Sequence, residues 1–182
     1  MTDGMAMWDK IKDQAKSLQS RGAGQPPGSK APGAGGTKAQ LVNTLKTQLT
    51  AVKAELKSGA FRDASMAMCA LVAAADGTVD ATERQRVETL ILSNDVLQNF
   101  PPDTLRQRFN KHADQLSSNF QFGRSEVMQE IAKVQKKPME ARAVVQMGVV
   151  IAAADGYFAQ AEQHVIREVC AMLGVSPAEF DL

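Results

Sequence analysis

From Lys38 onward, apolar residues recur every three to four positions, the spacing of one face of an α-helix. The recurrence predicts helices over about 38–58, 60–75, 81–93, 102–117, 124–136, 139–154 and 160–173. Leu105, Phe109 and Leu116 share a face in this way, and His112 falls on the same face as a packed core residue. Pro102 and Pro138 suit first-turn positions, where a missing N–H costs nothing. Gly174 is placed to stop a helix, and Ser176-Pro-Ala-Glu179 has the form of a capping box that starts one last turn. No segment alternates as a strand does. The expected fold is all-α, a compact bundle of about seven helices.

Upstream the pattern changes. Trp8, Ile11, Ala15 and Leu18 recur at helical spacing with Lys10, Lys12 and Lys16 among the polar positions. This predicts a short amphipathic helix within residues 1–20. Arg21–Thr37 is rich in Gly and Pro and reads as a flexible linker with a span of roughly 20–25 Å. Residues 38–182 then form the domain. Gly33-Ala-Gly-Gly-Thr-Lys38 lacks both the Lys-Thr order and the preceding strand of a phosphate loop.

Composition narrows the function classes. With 44 % apolar residues in a chain of 182, a substantial core is available, and 5 % aromatics with abundant Ala, Leu and Gln favour helices over strands. The net charge of +1 gives no argument for a nucleic-acid partner, and none is expected. Charge is unevenly divided, however. Residues 1–62 carry 10 Lys/Arg and 4 Asp/Glu, whereas residues 63–182 carry 11 and 16, so a basic end precedes an acidic body. The basic helix, residues 5–18, is a candidate for peripheral membrane contact. Cys69 and Cys170 lie far apart in apolar helical patterns and read as two buried thiols. The longest apolar runs, near 64–75 and 143–154, are too short to span a bilayer, and charges interrupt every apolar run near the N-terminus. The expected location is cytoplasmic, with membrane association through the basic end.

The most informative feature is an internal repeat. Ala73-Ala-Ala-Asp76-Gly77-Thr-Val79-Asp80-Ala-Thr-Glu83 recurs as Ala152-Ala-Ala-Asp155-Gly156-Tyr-Phe158-Ala159-Gln-Ala-Glu162. The register extends outward: Met68 and Leu71 match Met147 and Val150, and Val87 and Leu90 match Ile166 and Val169. Each copy predicts an apolar helix, a tight turn and an amphipathic helix. Two such hairpins related by a pseudo-twofold axis would bring both turns together.

Capping explains part of the repeat. Gly77 and Gly156 suit left-handed helix ends, Val79 and Phe158 suit apolar pegs, and Asp80 with Glu83 suits a capping box. Capping does not explain Asp76 and Asp155, carboxylates at helix C-terminal ends, where the macrodipole disfavours an anion. In the second copy Ala159 stands at the cap position, which leaves Glu162 without a capping partner. Asp-Gly-x-apolar-x-x-x-Glu is also the second half of a calcium-binding EF-hand loop, although Val72 and Ala74 stand where its opening acidic ligands would be. One copy supplies too few oxygens for a divalent ion. Two facing copies would supply Asp76, Glu83, Asp155 and Glu162, with Asp80 as a fifth. A metal site and a metal-free capped turn both remain open on these residues. His164 projects roughly 200° round the helix from Glu162, which places it away from such a site. Glu126 and Glu130, spaced by one turn, read as a solvated face, with a ligand role as the alternative.

These residues carry a family resemblance. The two Ala-Ala-Asp-Gly…Glu hairpins, Gly123-Arg-Ser-Glu126, the ending Leu173-Gly-Val-Ser-Pro-Ala-Glu-Phe180 and the Trp8-Asp-Lys-Ile-Lys start together resemble the TerB family of tellurite-resistance proteins, over about residues 60–180. The resemblance implies an all-helical fold with an acidic cluster that binds metal. It also implies a role in bacterial responses to tellurite and other stress, beside a TerC-like membrane protein and other Ter-family proteins. The residues it carries over are Asp76, Asp80, Glu83, Asp155 and Glu162, and more weakly Glu126. Ala159 departs from the family pattern, where an acidic or hydroxyl residue is usual.

The expected function is divalent-metal binding through the two Asp-Gly…Glu turns, calcium foremost, with magnesium, manganese or zinc as alternatives. A metal-free helical adaptor, whose acidic face binds a basic or membrane-associated partner, is the other reading. No nucleophile elbow, HExxH motif or Ser/His/Asp spacing occurs, so no enzymatic activity is expected.

Overall fold

A computed structural model describes residues 33–76, 79–154 and 158–182. Among these residues there are seven α-helices and no strand. They are α1 (Gly33–Ala51), α2 (Gly59–Ala73), α3 (Ala81–Leu92), α4 (Pro102–Ser118), α5 (Phe120–Ile131), α6 (Pro138–Ala152) and α7 (Gln160–Leu173). Short 3-10 turns occupy Lys53–Glu55, Val96–Asn99, Ala132–Val134 and Pro177–Phe180. The all-α bundle expected from periodicity is the observed fold.

Two helices form the centre. In α2 every residue from Asp63 to Ala73 is buried, and in α6 every residue from Ala143 to Ala152. A helix apolar on all sides is stable only when it is covered all round. Here α2 packs against α4, α5 and α6, while α1 and α7 cover α6. The two central helices approach closely at Gly148, where a Cβ would stand 2.5 Å from Met68 Cε. The outer helices bury one stripe each, such as Leu105, Phe109, His112, Ala113 and Leu116 of α4. Burial of each large apolar side chain in this centre contributes about 1.5–3 kcal/mol.

Several boundaries differ from the periodic reading. Helix α1 begins at Gly33, so residues 33–37 of the expected linker are helical. It ends at Ala51 rather than near 58, and Ser58 starts α2 as an N-cap, its hydroxyl accepting from Phe61 N–H at 3.0 Å. Helix α5 starts at Phe120, four residues early, because the Asn119 side chain caps it by accepting from Phe122 N–H. The α4–α5 turn is then so tight that a Cβ at Gly123 would lie 2.7 Å from the Leu116 backbone. Gly174 ends α7 in the left-handed conformation, φ 75°, and Val175 N–H donates to Cys170 O in the corresponding C-terminal motif. At the last turn Ser176 makes no side-chain cap. Glu179 pairs there with Arg142 instead. The amphipathic segment 5–18 and the linker residues 21–32 lie outside the described residues. No described helix is long and apolar enough to cross a membrane.

Candidate functional site

Asp76 stands exposed just past the C-terminal end of α2, while Asp80 and Glu83 open α3. Ala159 and Glu162 open α7, which follows α6 as α3 follows α2. Asp76, Asp80, Glu83 and Glu162 line one hollow of about 240 Å³, together with Arg86 and Ala159. Among the described residues, those that follow α2 and those that open α7 therefore border the same space. Phe158 is buried and Val79 packs half-buried against the core, as expected of pegs after each turn. Gly77, Asp155 and Gly156, the remaining motif residues, lie outside the described residues.

Several of these acids already serve the backbone. Asp80 Oδ1 accepts from Glu83 N–H at 2.7 Å, an N-cap that satisfies one orphan donor of α3. Glu83 does not reach back to complete the box. Its Oε2 lies 2.7 Å from Arg86 Nη2, one turn further along. Glu162 Oε1 accepts from Ala159 N–H at 3.0 Å. This corrects the expectation that Glu162 lacks a capping partner: the methyl of Ala159 cannot cap, but its N–H still needs an acceptor, and the carboxylate three residues on supplies it. Asp80 and Glu162 thus each commit one oxygen to a helix start.

Arg86 was not anticipated as a site residue. It was legible as a cation three positions after Glu83, the spacing at which helical neighbours pair. Glu126 sits half-exposed on α5 and is not among the residues lining the hollow. His164 is exposed on α7, with Nε2 3.3 Å from Glu168 Oε2, and it too stays out of the hollow. Glu168 also receives Arg124 at 2.5 Å, tying α7 to α5.

Three further side chains expected to be structural are buried. Cys69 and Cys170 are free thiols, with burial pushing them up to about 12 and about 11. His112 is 4 % exposed. Burial holds its imidazole below the usual range, against the opposing pull of Glu130.

The donors in the hollow are carboxylate oxygens, without sulfur or imidazole. That chemistry suits calcium, magnesium or manganese better than zinc. Among the described residues no three His, Cys, Asp or Glu side chains converge closely enough to hold an ion in one position. The family model for tellurite resistance protein TerB matches residues 62–182, a stretch that contains both motif copies and every candidate acid. The chain belongs to the TerB family. It is therefore a helical protein associated with tellurite resistance. No curated protein and no solved structure matches the chain. In this TerB protein the matched region begins at Arg62, beside the start of α2, and covers the bundle from there to the end of the chain.

Proposed function

We propose that this TerB protein binds a divalent cation in the hollow between the two turns, as one component of a bacterial tellurite-resistance or stress response. One observation carries the reading: carboxylates from both motif copies, Asp76, Asp80 and Glu83 on one side and Glu162 on the other, line a common space. A capped turn has no need of its counterpart across a hollow. Asp76, Asp80, Glu83 and Glu162, with Asp155 of the second motif, would supply the oxygens that hold the ion. The ion would join the two hairpins. Calcium fits best, because hard oxygen donors in a flexible arrangement suit its coordination. The role is binding rather than catalysis, with other Ter-family proteins and a TerC-like membrane protein as partners.

Calorimetric titration of the metal-free protein with calcium, magnesium, manganese and zinc tests this. Saturable binding that Glu83→Gln weakens is expected. No heat and no thermal stabilisation with any of the four would refute it.

A second reading has its own support. Arg86 already neutralises Glu83, and Asp80 and Glu162 are engaged as caps. On that reading the acidic rim is metal-free and docks a basic or membrane-associated partner. Stability indifferent to all four metals, with partner binding that falls steeply as salt rises, would favour it.

A further inference from the structure

A second charged constellation lies at the opposite end of α2. Asp63, 8 % exposed, is the one charged residue in the buried stretch of that helix. It gathers cations from three elements: Arg62 Nε at 3.0 Å, Arg108 Nε of α4 at 3.1 Å and Lys133 Nζ of the Ala132–Val134 turn at 3.4 Å. A buried carboxylate requires counter-charge, but one or two cations would suffice. Lys133 also pairs with Glu130 at 2.9 Å, which leaves two guanidinium groups against the one carboxylate of Asp63. Arg62 donates its Nε–H to Asp63 Oδ1, whereas Arg108 Nε lies 3.1 Å from the same oxygen as an ion pair without a hydrogen bond, and neither arginine donates from its Nη nitrogens to a described residue. Asp63 thus anchors Arg62 by one end and draws Arg108 in by charge, and the Nη end of each guanidinium group is available.

The surroundings favour an anion at those available ends. Arg62 Nη2 lies against the first turn of α2, where a Cβ on Gly59 would stand 3.4 Å from it. The Gly59 and Ala60 N–H groups in that turn have no helical carbonyl to meet, and the helix dipole adds partial positive charge. The acids nearby are engaged: Glu130 lies 2.9 Å from Lys133 Nζ, and Glu140 accepts from Ser58 Oγ at 3.0 Å. Exposed Lys57, Lys136 and Lys137 flank the cluster along the chain. Two forked guanidinium groups held in place are the arrangement that matches the oxygens of a phosphate group.

We propose that the N-terminal end of α2 is a phosphate-binding site in which Arg62 and Arg108, positioned by Asp63, grip the oxygens and Lys133 adds charge. The ligand class is a phosphate or phosphomonoester group, either soluble or on a lipid headgroup. This site is independent of the metal-binding reading. It lies about 20 Å from the acidic hollow along α2. An anion at one end and a cation at the other would give the two ends of one central helix opposite ligands.

The test separates a positioned fork from a plain positive patch. Amide and arginine Nε–H resonances of the full chain are followed by NMR while inorganic phosphate is added, with chloride at matched ionic strength as the control. Saturable shifts at Gly59, Ala60 and both arginines are expected with phosphate and not with chloride. Arg62→Lys/Arg108→Lys keeps the charge and removes the forks, so binding should weaken by about tenfold or more. Asp63→Asn makes the site more positive yet releases the arginines, and binding should weaken again. A plain patch predicts no change for the lysine pair and tighter binding for Asp63→Asn; either result overturns the proposal, as do shifts that chloride reproduces. Should Asp63→Asn fail to fold by circular dichroism, the lysine pair decides. Flotation with vesicles of phosphatidic acid in phosphatidylcholine, against phosphatidylcholine alone, identifies the source. Vesicle association lost in the lysine pair supports a lipid headgroup, and phosphate shifts without it support a soluble ligand. Neither signal would end the proposal.

Discussion

The Oε1 atom of Glu162 accepts the N–H of Ala159 at 3.0 Å, so α7 is capped by an acid from within its own first turn. The geometry separates hydrogen bonding from charge. Glu162→Gln retains an acceptor and should be nearly neutral in metal-free buffer, whereas Glu162→Ala should cost about 0.5–1 kcal/mol. Asp80→Ala, which removes the 2.7 Å cap on Glu83 N–H, should cost about 1 kcal/mol. Urea denaturation measures all three. Equal losses from the Gln and Ala variants would mean that the charge, not the cap, matters.

Metal should reverse the ranking. At 100 times Kd a single site adds about 2.7 kcal/mol of stability. Glu83→Gln and Glu162→Gln should each remove most of that gain although they stand in different motif copies. In a shared site the double variant should lose little more than either single one. Strict additivity, with two separable calorimetric events, would replace one shared site by two.

His112 makes stability pH-dependent. Its folded pKa is depressed, chiefly by burial, so below about 6.5 the unfolded chain takes up a proton that the folded protein refuses. Stability from this group is complete above that pH and falls as pH drops toward the folded pKa. The limiting slope is about 1.4 kcal/mol per pH unit. His112→Gln should flatten the difference between denaturation midpoints at pH 7 and pH 5.5. An unchanged difference would show that other groups set the slope.

Gly123 should be intolerant of the smallest addition. Alanine favours a helix over glycine by about 1 kcal/mol, but here the new Cβ meets backbone at 2.7 Å rather than a yielding side chain. Gly123→Ala should therefore destabilise, by about 1–3 kcal/mol. At Gly148 the obstacle is the end of Met68, and the shorter side chain of Met68→Val should partly rescue Gly148→Ala. Thermal unfolding of the four variants checks both.

Both thiols should be silent in the native state. With pKa values pushed up to about 12 and about 11, almost no thiolate exists at pH 8. Alkylation of Cys69 by iodoacetamide should proceed only as fast as the protein opens and should accelerate sharply in denaturant. Rapid native labelling would mean that α2 is not enclosed as described.

Helix positions were legible because each outer helix buries a stripe that leaves a local periodic trace, as Leu105, Phe109 and Leu116 do in α4. Helix ends were less so. The early start of α5 depends on one Asn119 side chain, and a Gly-rich start for α1 runs against intrinsic preference. Asp63 carried a signal that periodicity does not weigh, a charge inside a run of buried apolar residues. Such a residue implies partners, and those partners stand 45 and 70 positions away, at Arg108 and Lys133.

The sequence by itself determined the helical class and the order of the elements, because period and capping chemistry are local. Only the tertiary structure decided that Asp76, Asp80 and Glu83 share a hollow with Glu162, that Glu126 stands apart from it, and that Arg86 enters it. The same holds for the cations drawn to Asp63. Which side chains meet across a bundle depends on how two all-round apolar helices pack, here by the close approach of Gly148 to Met68. Apolar burial has no direction along the chain, so a single sequence records that these helices are covered and not which charged groups their packing brings face to face.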